Sequence, residues 1–306
     1  MATKFEFDAI GTHWTIDLFD ALLPPSRGIE GVQNLSGSEG VAHLQALIQA
    51  RIAEFDQTYS RFREDSLVSQ IAKKAGVYAF PPDAAPLFAL YEQVYHLTNG
   101  HVTPLIGQVL VDAGYDAKYS LVEGTLQTPP AWEDVMKFDP TNNHLEVMRS
   151  GVLLDFGAAG KGYLIDIIGE LIEREGFSAY MINAGGDIRH RGPEAIKVGL
   201  EHPDRLDMVI GTARIQNQSI CGSAGNRRTW GRFHHVIDPF KLESPRHIIA
   251  AWTLASSTML ADAMTTALMF TDADVLRREY PMDCLVMYAD YSFQHSAGFV
   301  SELYTG

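Results

Sequence analysis

Cysteine is nearly absent from this sequence: Cys221 and Cys284 are the two found in 306 residues. They have no C-x-x-C spacing, which excludes a disulfide framework or a structural zinc site and points to two buried thiols in a reducing cytoplasm. Long hydrophobic runs are missing too. No stretch approaches the roughly 18–20 apolar residues of a spanning helix, and the longest candidates, such as 284–289, are strand-sized. The start, MATKFEFDAIGTHWTIDLFD, lacks a basic region followed by an apolar one. No signal peptide or lipobox is evident, so the chain as it stands is expected to be cytoplasmic, with an exported form following if a leader has been trimmed. Positive charge is in deficit, with 24 Lys and Arg against 38 Asp and Glu and a net charge of −14. That argues against a duplex nucleic-acid binder or a polybasic membrane-surface protein, because both draw their affinity from Lys and Arg. Also missing are G-x-S-x-G, H-E-x-x-H, and any Cys/His dyad spacing.

What is present suffices for a packed core: 46% of the residues are hydrophobic and 10% aromatic. The length allows two domains or one large duplicated one. Phe5 and Phe7, then Trp14, Ile16 and Leu18, alternate on either side of Gly11 and predict an antiparallel pair or bent strand. Residues 22–40 read as a Pro/Gly/Ser-rich loop. Helical spacing follows at Val41, Leu44, Ile48, Ile52, Phe55 and Tyr59, and again from about Ala84 to a left-handed cap at Asn99-Gly100. A third helix is expected after Gly162 and a fourth over 257–270, with strands at 178–221 and near the C-terminus. Strand pairs and helices alternate without a βαβ rhythm, so the fold class is α+β with mainly antiparallel sheets and packed helices.

Three segments carry the chemistry. In Asp155-Phe-Gly-Ala-Ala-Gly-Lys-Gly-Tyr-Leu-Ile-Asp166, an expected strand at Val152–Leu154 runs into an acid, a small-residue turn and a helix. Small residues let a ligand approach the backbone amides, and a helix start favours anions. It is not a P-loop, since Gly162 follows Lys161 where Ser or Thr is required, and it does not fit the Rossmann fingerprint. In Ala261-Asp262-Ala-Met-Thr265-Thr266, helical spacing presents a carboxylate and two hydroxyls together, hard oxygen donors suited to Mg²⁺. In His234-His235-Val-Ile-Asp238-Pro239, adjacent histidines point to opposite faces of a strand, so at most one of them faces a ligand, where a histidine can act as general base. Asn183-Ala-Gly-Gly-Asp187 reads as a tight turn.

The order of these segments is more specific than any one of them. Together with Tyr59-Ser-Arg-Phe-Arg-Glu-Asp65 and Gly100-His-Val-Thr103-Pro104, they make the chain resemble the ApbE family, the FAD:protein FMN transferases, from about Ile10 to the C-terminus. D-x-G-x-x-x-K-G-Y-x-x-D and A-D-A-x-x-T carry that resemblance. It implies a single ApbE-like domain over 1–306, a T-fold-like architecture of two related halves with FAD in a central cleft. It also implies Mg²⁺-dependent transfer of FMN from FAD to a Ser or Thr hydroxyl of a target flavoprotein, releasing AMP. Carried over by position, Asp262, Thr265, Thr266 and the Ala158 carbonyl are expected at Mg²⁺. Ile10, Phe62, His101, Val102, Thr103, Asp155, Lys161 and Ile237 are expected at FAD, and His235 as general base.

The chain departs from the family pattern in three places. Cys221-Gly-Ser223-Ala-Gly225-Asn-Arg-Arg228 stands where T-S-G and an aromatic are common. Phe240-Lys-Leu-Glu-Ser-Pro245 replaces T-G-x-P, and Phe62 replaces a frequent tyrosine. Two alternatives therefore stay open: an FAD pyrophosphatase using water as acceptor, and a non-catalytic FAD-binding protein.

Overall fold

The computed structural model describes residues 3–19, 38–226, 228–299 and 301–304. Its centre is an eight-stranded, wholly antiparallel sheet whose strands lie side by side in chain order. Thr3–Ala9 and Thr12–Leu18 come first, then Tyr180–Ala184 and Asp187–Arg191. Ser219–Ala224, Ile248–Ala255, Met282–Tyr288 and Phe293–His295 complete it. Each set of four is two strands, a crossing by way of helix, and two more strands, so one order of elements occurs twice. The α+β class and the antiparallel pairing agree with the sequence.

The alternation around Gly11 becomes a hairpin in which Phe7 stacks on the fully buried Trp14 with ring centroids 5.9 Å apart. Its loop is Ile10-Gly11, between the paired Ala9 and Thr12, and both loop residues have positive φ (44° and 75°). The loop Gly185-Gly186, between Ala184 and Asp187, repeats that geometry at 63° and 102°. Two positive φ values are what a two-residue type I′ hairpin needs. Any Cβ on Gly185 would run into the Thr12 hydroxyl, so the two loops fit side by side because this residue is glycine.

One face of the sheet is covered by the helices Ser38–Tyr59, Gly160–Arg174 and Thr258–Ala267, with Ile48, Leu164, Ile168 and Met264 buried between the layers. The other face of its second half packs on a three-stranded sheet of Ile196–His202, Arg205–Ile215 and Ser301–Leu303, over Leu200, Ile215, Ile220 and Leu285. A second small sheet joins Gly76–Ala79, Met136–Asp139 and His144–Val147.

Several expectations change. Of the loop read at 22–40, residues 22–37 lie outside the described residues, and Ser38 already begins the first helix. Residues 152–154 form no strand. The Asp155 amide that follows them donates to the Pro104 carbonyl at 2.7 Å, and a single such bond makes no sheet ladder. The third helix starts at Gly160, before Gly162. Cys221 and Cys284 are buried free thiols as expected. No helix among the described residues is long and apolar enough to cross a membrane.

Candidate active site

A cavity of about 1100 Å³ opens between the two hairpin loops, the helix-covered face and the small sheet at 196–215. Small-molecule sites commonly run to roughly 300–1,000 Å³, so the space suits a ligand at or above that range. His235 lines it, as do Ile10, Phe62, His101, Val102, Thr103, Asp155, Lys161 and Ile237, together with Ala158, Asp262 and Thr266. Residues dispersed over more than 250 positions thus meet in one space.

Two helices build the floor by holding each other. Gly162 lies in the first turn of Gly160–Arg174, and its N–H donates to the Asp262 carboxylate at 2.8 Å. In return, Asp166 of that helix accepts from the Thr258 and Met259 N–H groups at 2.9 and 2.8 Å, capping Thr258–Ala267. A Cβ on Gly162 would sit 2.3 Å from the Thr258 carbonyl oxygen, so glycine permits the close crossing. Asp262 is 6% exposed, and burial raises its pKa above the ordinary aspartate value, opposed by Lys161 and the Gly162 N–H.

Thr266 reaches the cavity, and Thr265 does not. Successive helical residues diverge by about 100°. Thr265 is fully buried, its hydroxyl donating to the Asp262 carbonyl at 2.7 Å and accepting from Ser223 at 2.8 Å. Among the described residues no group of three or more His, Cys, Asp or Glu side chains forms a metal cage. One carboxylate, one hydroxyl and a carbonyl-bearing turn at Ala158 make a sparse set of hard oxygen donors. That fits a small divalent cation that keeps water and ligand phosphates in its shell.

The turn ahead of the helix Gly160–Arg174 is tied down from outside. Asp155 accepts from the Gly157 N–H at 2.7 Å and from Arg61 Nε at 2.5 Å, and the Ala158 N–H donates to the Tyr91 hydroxyl at 3.1 Å. Lys161 pairs with the buried Asp187, at the far end of the Gly185-Gly186 hairpin. That acid belongs to the segment read from sequence as a turn.

The two adjacent histidines have different surroundings. His234 is buried, its Nε2 donating to the Pro245 carbonyl at 3.0 Å and its Nδ1 accepting from the Val236 N–H at 3.2 Å. Burial lowers its pKa, and both ring nitrogens are taken up by backbone hydrogen bonds. His235 faces the cavity.

Sequence reasoning missed three cavity residues: Arg61, Tyr115 and Arg228. The Arg61 guanidinium lies 4.2 Å over the Phe62 ring and donates to the Tyr115 carbonyl at 2.7 Å. Tyr115 packs edge-on against Phe62 and stacks on Trp230, a wall suited to a planar ring system. Two signals were available: Arg61 sits inside the Tyr59–Asp65 segment already singled out, and Arg228 is half of the arginine pair noted as a departure.

Comparison with known proteins follows the same lines. The model of the ApbE family matches residues 10–284. A FAD:protein FMN transferase of Escherichia coli (strain K12) is 25% identical over 304 residues, covering 90% of this chain and 82% of that protein. One from Salmonella typhimurium is 26% identical over 266 residues, covering 78% and 75%. Among solved structures, the flavin transferase ApbE from Vibrio cholerae superposes with a TM-score of 0.75 at 18% identity, covering 98% of this chain and 99% of that one. The apbe protein from Thermotoga maritima gives 0.77 at 21%, with 98% of each covered. Identities this low carry the fold.

Proposed function

This chain belongs to the ApbE family, and on that premise we propose that it is a transferase moving FMN from FAD to a Ser or Thr hydroxyl of a target flavoprotein, with Mg²⁺ and with release of AMP. The observation that carries the reading is the meeting of Asp262, Thr266, Ala158 and His235 around one cavity roomy enough for a dinucleotide. The repeated order of elements supports a single domain of two related halves with this cavity as its central cleft.

Asp262, the Thr266 hydroxyl and the Ala158 carbonyl would hold Mg²⁺, with Thr265 and Ser223 fixing the backbone at Asp262. When bound, the ion supplies charge neutralisation on the phosphate oxygens. Ile10, His101, Val102, Thr103 and Ile237 line the space for FAD, and Phe62 with Tyr115 supplies its aromatic wall. Asp155 and Lys161 serve the ligand less directly. Each is already paired, so they shape the turn that meets it. His235 takes the proton of the acceptor hydroxyl as its oxygen bonds to the flavin-side phosphorus. The anhydride bond then breaks toward AMP. A base so placed contributes roughly 10²–10⁴-fold.

Incubation with FAD, Mg²⁺ and a candidate target tests the reading by mass spectrometry. Gain of one FMN on the target supports it. Free FMN and AMP without target modification would make the protein a pyrophosphatase, and unchanged FAD a binding protein.

A further inference from the structure

Among the described residues, five lysines and arginines line the cavity: Arg61, Arg63, Lys161, Lys197 and Arg228. Four of them already face carboxylates. Arg61 pairs with Asp155 and Lys161 with Asp187. Arg63 lies 3.0 Å from Asp65, and Lys197 lies 3.5 Å from Glu302. Arg228 faces no carboxylate among the described residues. Its Nη1 donates to the Tyr115 hydroxyl at 2.8 Å and its Nη2 to the Gly11 carbonyl at 3.1 Å. Both acceptors are neutral near pH 7: one is a backbone carbonyl, and burial pushes the Tyr115 phenol up from its ordinary 10.0 to about 12.

The placement is as specific as the charge. Gly11 sits in the first hairpin loop, and Tyr115 follows the helix Gly107–Asp112, so the guanidinium bridges two parts of the cavity wall. Its own backbone is held at a φ of 54°, where non-glycine residues are uncommon. A guanidinium has five N–H donors in a planar fork, and these two bonds leave others for a ligand. A phosphate entering this acidic protein thus meets one guanidinium whose charge the protein has not already spent, among the described residues.

We propose that Arg228 is the phosphate clamp of this cavity, holding the phosphoanhydride oxygens of a nucleotide ligand. As applied to FAD, the proposal rests on the function proposed above. Lys161, expected at FAD by its position in the sequence, has its charge committed to Asp187.

The test is equilibrium binding of FAD, ADP and riboflavin to the wild type, Arg228→Gln and Arg228→Lys at several salt concentrations. Charge-assisted hydrogen bonds of this kind predict a loss of roughly 10- to 100-fold for FAD and ADP in Arg228→Gln. Riboflavin, which has no phosphate, keeps its affinity, Arg228→Lys falls between, and the salt dependence of FAD binding becomes shallower. Unchanged FAD and ADP affinity in Arg228→Gln overturns the clamp, and so does an equal loss for riboflavin, which would make the side chain part of the wall. Arg228-dependent ADP binding in a protein that binds neither FAD nor riboflavin supports the clamp and overturns the flavin reading.

Discussion

Asp166 and Asp262 each hold the other's helix: Asp166 accepts from the Thr258 and Met259 amides, and Asp262 from the Gly162 amide. The two acids come from the two motifs most legible in the sequence. Nothing in their spacing says that they meet. The crossing they fix sets the height of Asp262 and Thr266 against the turn at Ala158. Arg189 locks the arrangement from beneath, donating to Asp166 at 2.6 Å with both side chains almost wholly buried.

Asp166→Ala should therefore be severely destabilising. It removes a double cap and leaves the buried Arg189 cation short of a partner, which costs about 3 kcal/mol or more. Asp166→Asn, which keeps one acceptor, should lose less. Urea unfolding checks both variants, the expected result being a lower midpoint at unchanged slope.

How much of this was readable beforehand depended on whether the signal was local. The hairpin at Gly11 and the four principal helices announce themselves by periodicity. The strand Ile248–Ala255 does not, because almost all of its residues are buried and the alternation that marks a half-buried strand is gone. Lys161 looked free because its partner Asp187 lies across a helix–sheet junction. Thr265 looked equivalent to Thr266 because i+3 and i+4 share a broad helix face, while the seam with Ser223 takes one and the cavity the other. Arg228 stood out in sequence as an irregularity, and its meaning required knowing which other cations were already paired.

Gly162→Ala tests the crossing itself. The added Cβ meets the backbone at the Thr258 carbonyl and the Asp262 Cβ at 2.7 Å, neither of them the end of a flexible side chain. The helices must separate, at about 1–3 kcal/mol for overpacking of this kind. Thermal unfolding should show the loss. If the floor sets the metal site, transfer activity should fall further than the lost stability explains.

His234 predicts how stability depends on pH. Burial lowers its folded-state pKa below the ordinary 6.5, and its Nδ1 is occupied as an acceptor from Val236. In the unfolded chain it protonates first as pH falls. Its contribution is therefore complete above about 6.5 and is lost progressively below that value. Denaturant titrations across this range should give a falling free energy of unfolding in the wild type. The slope should be shallower in His234→Gln, and an unchanged slope would assign the effect to other groups.

Asp262→Asn separates function from stability. Burial raises the pKa of this carboxyl, so folding disfavours its charged form at pH values above the ordinary aspartate range. The amide keeps an oxygen for the Gly162 N–H. The variant should melt at the same temperature or higher, while the proposed Mg²⁺-dependent FMN transfer disappears. A fully active Asp262→Asn protein would remove this residue from the metal site.

His235→Ala addresses the proposed base. The side chain lines the cavity beside Val236 and Ile237, and thermal unfolding of the variant separates any loss of stability from loss of activity. A group that acts mainly in the transition state lowers turnover much more than ligand affinity. The expected fall in kcat is roughly 10²–10⁴-fold, with FAD affinity changed by no more than a few-fold. His234→Ala serves as the contrast, losing stability first and activity only through it. Matched losses of affinity and turnover in His235→Ala would make that histidine a binding residue, and the proton acceptor would then have to be sought among the groups around Asp262.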